Sequence, residues 1–341
     1  MARNQKVTIY TIAERLGLAP STVSRALKGS ERVRAETRQR VREAAEELGY
    51  QTDYLARSLT TGSTQTLGVL VSGLTNPFMP ELVAALSEAC DRLGYSLLLG
   101  DTREEAGKEE RVFDLLFAHR VDGIIVCSPR MPEEQLVTWH DQGIPMVLVN
   151  RIVSRAAISA VAVDNVAGTR LLTNHLLASG CRRLIFLGGP RDSQACQQRA
   201  DGVRQALEAA CLDATVEYLY ASDNAWSARQ MVQAYLDAGG EVDGIIAFDD
   251  LMAAGALQGL HERGLSVPRD VAVVGFDDVA LASLVTPALT TVAQPLRDMA
   301  QMALDLMVEE LAGAAPRTVR VQPTLVVRQT APSELRNGYR R

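Results

Sequence analysis

From Thr66 onward the chain alternates short apolar runs with amphipathic stretches, and this alternation constrains its fold more than any other feature. The runs span residues 67–71, 96–99, 123–127, 145–150, 184–188, 218–221, 244–248 and 271–275. Near-continuous Val, Ile and Leu runs separated by helices predict parallel sheets covered on both faces. So many units exceed one compact sheet, so two lobes are expected, the first from 65–163 and 293–322, the second from 164–292 and 323–341. Residues 290–295 are expected to return the chain to the first lobe. Pro323, between the apolar stretches 319–321 and 325–327, is expected to mark another crossing.

Residues 1–50 read differently. Ile12, Ala13 and Leu16 repeat at helical spacing until Gly17 stops them. Pro20 opens a second helix, a position where proline is well tolerated, and Gly29 follows its end. A third helix over 35–48 places Val41, Ala44, Ala45 and Leu48 on one face. Two short helices about a tight turn, supported by a third, predict a helix-turn-helix headpiece. Residues 51–64 form a linker in which Leu55, Ala56 and Leu59 share one helical face. Seven residues, 53–59, are too few for a stable isolated helix.

Charge follows the same division. The chain carries −6 overall, yet residues 1–42 hold ten Lys or Arg against three acids, which leaves −13 on the remainder. A basic head on an acidic body fits a phosphate-binding module joined to a part that does not bind nucleic acid. The five cysteines (Cys90, Cys127, Cys181, Cys196 and Cys211) form no CxxC pair, and the four histidines show no ligand spacing. No disulfide framework, metal site or cofactor is expected. No apolar run approaches the roughly 20 residues of a membrane span, and residues 1–10 lack the apolar core of a signal peptide. The expected location is the cytoplasm.

The stretch VTIYTIAERLGLAPSTVSRALKGSERVRAETRQRVREAAEELGY and the following YLARSL resemble the headpiece and hinge helix of the lactose/galactose repressor (LacI/GalR) family. The resemblance continues through LVSGLTNPF, VDGIIV, VDN, FDDLMAAGAL, VPRDVAVVGFDD and PALTTVAQP, so it covers essentially the whole chain. It implies an N-terminal all-α helix-turn-helix headpiece (1–50), a hinge (51–64) and an α/β two-lobed, periplasmic-binding-protein-like sensor domain (65–341). It implies a homodimer on a pseudo-palindromic double-stranded operator and a small effector, a sugar or sugar acid, held between the lobes. Ala19 and Arg34 replace the Ser that usually caps the second and third helices, losing about 1 kcal/mol each.

The resemblance also distributes roles. Ser21, Thr22 and Arg25 face the major groove, where Arg can grip guanine O6 and N7. Pro20 adds apolar contact, while Thr8, Tyr10 and Ser24 approach phosphates. Leu59 wedges between central base pairs and Ala56 lets paired hinge helices approach. In the sensor, ligand is expected beyond the C-terminal ends of the strands. The candidates there are Asn76, Phe78, Asn150, Arg151, Arg199, Asn224, Trp226, Asp249 and Asp277. Set against these are plainer roles: Asp250 as a helix cap, Asp278 as a turn residue, Arg151 in an inter-lobe ion pair and His175 packed on a helix.

Two other classes fit the sequence less well. A transport protein of the same fold is disfavoured by the headpiece. For an enzyme there is no phosphate loop, no GxGxxG after a strand and no nucleophile elbow, though Asp249 and Asp277 could mimic a glycosidase pair.

Overall fold

The computed structural model describes residues 7–27, 29–50, 62–103, 105–154 and 158–333. The helix expected over 53–59, with Ala56 and Leu59, lies outside the described residues. The chain divides into two compact units, Met1–Thr64 and Gln65–Arg341.

The first unit contains α1 (Ile9–Leu16), α2 (Pro20–Leu27) and α3 (Ala35–Glu47). Helix α1 starts earlier than its apolar spacing predicts because Thr8 caps it. The Thr8 hydroxyl accepts the Thr11 N–H, and the Thr11 hydroxyl accepts the Thr8 N–H at 3.2 Å, a reciprocal capping box. Gly17, at φ 64°, ends the helix in the left-handed region. Ile12, Ala13, Val23, Ala26, Val33, Val41, Ala44 and Ala45 form the small core. Arg34 gives α3 no side-chain cap. One turn on, the Arg38 guanidinium donates to the carbonyls of Ser30 and Val33 and holds the loop that enters α3.

The second unit begins with β1 (Thr66–Val71), α4 (Phe78–Leu93), β2 (Ser96–Asp101), α5 (Ala106–Ala118), β3 (Gly123–Cys127), α6 (Glu133–Asp141), β4 (Met146–Val149) and β5 (Ser159–Val163). It continues with α7 (Asn165–Ala178), β6 (Arg183–Gly188), α8 (Gln194–Ala210), β7 (Thr215–Tyr220), α9 (Ala225–Asp237), β8 (Gly244–Ala247), α10 (Asp250–Glu262), β9 (Ala272–Val274) and α11 (Ala280–Leu284). The chain then runs through β10 (Thr291–Ala293), α12 (Leu296–Leu311), β11 (Thr318–Val321) and β12 (Thr324–Val326).

Two parallel sheets result, ordered β11-β5-β4-β3-β1-β2 and β7-β6-β8-β9. A short antiparallel pair, β10 with β12, joins them. The inner strands of the first sheet are buried on both faces, and β1 shows why its sequence is apolar throughout. Leu67, Val69 and Val71 pack with Leu82 and Leu86 of α4 and Leu304 of α12, while Leu70 packs on the opposite face with Phe113 and Trp139. The Phe113 and Trp139 rings stack at 3.8 Å. Strand β5 is absent from the apolar runs read in the sequence. Its Ser159, Ala160 and Ala162 are small, yet all five of its residues are buried between β4 and β11.

The chain passes between the two sheets three times: after Val163, at β10, and between β11 and β12. Helices α9 and α10 meet closely at Gly255, where an added Cβ would lie 2.1 Å from the Ala225 carbonyl oxygen.

Candidate functional site

The parallel strands of both sheets end on one cleft, where an open α/β fold binds its ligands. Its first-lobe wall is built from residues that follow β1 (Ser72, Asn76, Phe78), β3 (Ser128, Arg130) and β4 (Asn150, Arg151). Its second-lobe wall comes from the start of α8 (Ser193, Gln194, Arg199), from Asp223 after β7, and from residues after β8 and β9 (Phe248, Asp249, Asp277). Gln294 enters from the segment after β10. The cavity measures about 70 Å³. Three of its lining residues, Ser128, Asn150 and Asp277, have positive φ (50°, 58° and 113°). Backbone strain of this kind concentrates at binding sites, where surrounding structure enforces it. Here the strand ladders do so: the Asn150 N–H donates to Val161 O and the Asp277 N–H to Val292 O.

Arg199 is the most heavily bonded of these side chains. It is 5% exposed. Its guanidinium donates to the Asn165 side chain at 3.0 Å, to the Phe248 carbonyl and to Asp277 at 3.3 Å. It also lies 3.7 Å from the Phe276 ring centroid. Asp277 accepts in addition from Gln294 Nε2 at 2.6 Å. Burial raises the Asp277 carboxyl to about 6, with Arg199 opposing the rise.

A second cluster spans the lobes. Asn76 Nδ2 donates to Asp249 at 2.7 Å and to Asp223 at 3.2 Å. Asp223 and Asp249 hydrogen-bond each other. Two carboxyl groups in contact require a shared proton. Burial and the neighbouring Asp249 charge push Asp223 well above the ordinary carboxylate range. Gln194 makes a further cross-lobe link, accepting the Ile152 N–H and donating to the Ile152 carbonyl, each at 3.0 Å.

Of the ligand residues expected from the sequence, the structure gathers Asn76, Phe78, Asn150, Arg151, Arg199, Asp249 and Asp277 on this cleft. Two do not reach it. Asn224 caps α9, its side chain accepting the Ser227 N–H at 2.8 Å. Trp226, 62% exposed, points to solvent from the first turn of the same helix. The residue that lines the cleft from this loop is Asp223. The cap expected of Asp250 belongs to Asp249, which accepts the Met252 N–H. Asp250 instead accepts the Val279 N–H and the Thr291 hydroxyl, tying α10 to the β10 crossing. Asp278 is a left-handed turn residue paired with Arg328 at 2.6 Å. His175 Nε2–H donates to Ala331 O and anchors the segment after β12. Asp223, Gln194, Arg130 and Gln294 escaped the sequence reading. Arg130 sits just past the apolar run 123–127 and could have been found by that rule, whereas Gln294 lies inside the segment 290–295 that was expected only to return the chain to the first lobe.

The first unit presents a separate surface. On α2, Val23 and Ala26 turn into the core, while Pro20, Ser21 and Arg25 are exposed and Thr22 and Ser24 half-buried. Ser21 and Arg25 are four residues apart and share a face. Tyr10 is 72% exposed, and Thr8, exposed as well, commits its hydroxyl to the α1 cap.

A helix-turn-helix unit and a two-lobed α/β sensor together define a class of DNA-binding regulators, and comparison with known proteins agrees. The family described as "Bacterial regulatory proteins, lacI family" matches residues 8–53, and "Periplasmic binding protein-like domain" matches residues 173–331. The ribose operon repressor of Halalkalibacterium halodurans is 34% identical over 325 residues, 95% of this chain and 96% of its own. The transcriptional regulator GalS of Salmonella typhimurium is 33% identical, with the same coverage. Among solved structures, the lac repressor dimer bound to operator and the anti-inducer ONPF superposes with TM-score 0.88 at 28% identity, over 96% of this chain and 100% of that one. The chain belongs to the lacI family of bacterial regulatory proteins. It is a transcriptional regulator with a helix-turn-helix DNA-binding part and a periplasmic-binding-protein-like sensor. Among the described residues, no helix is long and apolar enough to cross a membrane.

Proposed function

We propose that the chain is an operator-binding repressor acting as a homodimer, with α2 in the major groove and a small polyhydroxylated effector held in the cleft. The observation that carries the sensor reading is the Arg199–Asp277–Gln294 and Asn76–Asp223–Asp249 arrangement, which offers fixed donors and acceptors at the strand ends of both lobes. Such convergent polar groups in a largely preformed cleft suit a hydroxyl-rich metabolite. The named relatives support a repressor, and the lac repressor structure supports a dimer on operator DNA. A two-fold operator places two recognition helices about one turn of DNA apart.

The cleft is read as a binding site and not a catalytic one, since Asp249 and Asp277 are both engaged by fixed partners. The test is selection of operator DNA from a random library with the full chain, followed by a thermal-shift screen of sugars and sugar acids. Ligand binding raises apparent stability, so true effectors shift the melting temperature. Hits should change operator affinity and remain chemically intact. A hit that leaves DNA binding unchanged, or is turned over, overturns the reading.

A further inference from the structure

We propose that Gln194 is a latch between the lobes, its side-chain amide pairing with the Ile152 peptide unit across the cleft mouth. That pairing sets the balance between open and closed cleft, and through it the operator affinity. The proposal deepens the sensor reading above and rests on it.

The pairing is reciprocal. Gln194 Oε1 accepts the Ile152 N–H and Gln194 Nε2 donates to the Ile152 carbonyl, each at 3.0 Å. A carboxamide is the side-chain group that offers a donor and an acceptor in the arrangement of a peptide unit. A Glu in its place would still accept the N–H but would face the carbonyl with a second acceptor.

Both halves of the latch are anchored in their own lobes. Gln194 is the first residue of α8, whose start is capped by Ser193 and pinned by Cys196, which is fully buried in the second-lobe core. Ile152 lies just after β4 and packs, with Val153, against the first-lobe core that holds Phe113 and Trp139. Neither residue can follow the other when the lobes part. A hydrogen bond is lost beyond about 3.5 Å, so both bonds break early in opening.

A second bridge lies beside the first. Asn76, after β1, reaches Asp249 and Asp223 at 2.7 and 3.2 Å, and Asp249 is itself held as the cap of α10. In the first sheet β4 and β1 stand on either side of β3, so the cleft is tied at two places, two strands apart. A buried hydrogen bond contributes about fivefold to an equilibrium, so losing both Gln194 bonds shifts the open-to-closed ratio by about tenfold or more. Operator affinity follows that ratio when the two forms differ in their affinity for DNA.

The test is hydrogen exchange of the full chain with no ligand added, read peptide by peptide. It compares wild type with Gln194→Ala, Gln194→Glu and Gln197→Ala. Gln197 lies on the same helix, is exposed and bonds to the Arg191 carbonyl of its own lobe. Exchange is expected to rise about fivefold or more in both Gln194 variants. The rise should reach beyond 150–154 to 72–79 and 223–228 on the two walls, where Asn76 and Asn224 hold the Phe78 and Ser227 N–H groups. Gln197→Ala should match wild type. Faster exchange confined to 150–154 would make Gln194 a local contact and overturn the latch. If Gln194→Ala fails to fold, Gln194→Glu, of nearly equal volume and with one bond kept, carries the comparison. On operator DNA selected as described above, both Gln194 variants should shift affinity by about threefold or more with no ligand added. Unchanged affinity in a loosened cleft would overturn the link to DNA binding. Because exchange needs no effector, the latch can fail while the effector-cleft reading stands.

Discussion

Arg199 and Asp277 meet as a buried ion pair, Nη2 to Oδ1 at 3.3 Å, each residue 5% exposed. Removing one partner of such a pair leaves the other charged and desolvated, which typically costs about 3–5 kcal/mol. Arg199→Ala should therefore lower sensor stability by an amount of that order. Effector binding should weaken by roughly 2 kcal/mol or more. Urea denaturation reads the first and calorimetry the second. An unchanged unfolding midpoint would mean that the pair does not hold the cleft together.

The same site fixes a pH dependence. The native Asp277 carboxyl titrates at about 6, above its ordinary value of 3.8, chiefly because it is buried. Between these two values the native state holds a proton that the unfolded chain has lost, so raising the pH weakens the native state. Compared with Asp277→Asn, which cannot ionise, wild type should lose melting temperature from about pH 4 to about pH 6. The difference should level off above that range. A difference that is constant, or that moves the other way, would falsify this assignment.

In the first unit, exposed Arg25 lies one turn beyond Ser21 on α2. Arg25→Ala is expected to cost about 1–3 kcal/mol of operator binding and to relax preference at one base position per half-site. Non-specific binding should change much less. Selection from a random DNA library with wild type and variant reads this directly, and identical recovered motifs would exclude Arg25 as a base reader.

Two glycines make a paired packing test. At Gly255 the obstacle to a Cβ is backbone, the Ala225 carbonyl 2.1 Å away, so α9 and α10 must separate. Gly255→Ala should destabilise by about 1–3 kcal/mol or more. Gly107, in the first turn of α5, has open space around it, and Gly107→Ala should stabilise by up to about 1 kcal/mol. Chemical denaturation of both variants checks the contrast. Similar effects of the same sign would contradict it.

Much of this architecture was legible because burial on two faces leaves an unbroken apolar signature, as in 67–71 and 123–127. Strand β5 was not legible because small Ser159, Ala160 and Ala162 alternate with its two valines and fill a crowded interior without forming an unbroken apolar run. Cleft residues were readable where they immediately follow such strands, as Asn76, Asn150 and Asp277 do. The loop after β7 misled because Asn224 and Trp226 carry the more conspicuous side chains. Position along the helix decides instead: Asn224 takes the cap, Trp226 falls on the outer face, and Asp223, one residue earlier, turns inward. The division of labour between Asp249 and Asp250 was hidden for a related reason. Adjacent identical residues differ only in which one has the extended backbone of a cap.

The three passages of chain between the sheets make the junction a flexure rather than a swivel. One strand would let the lobes turn freely about it, and two would leave a hinge able to shear. Three side-by-side tethers, pinned by the β10–β12 ladder and by Asp250 on Thr291, resist torsion and sliding while still permitting bending. Opening and closing of the cleft is thereby restricted to nearly one coordinate. A few hydrogen bonds across its mouth, such as those of Gln194 and Asn76, then weigh directly on how far the cleft stands open.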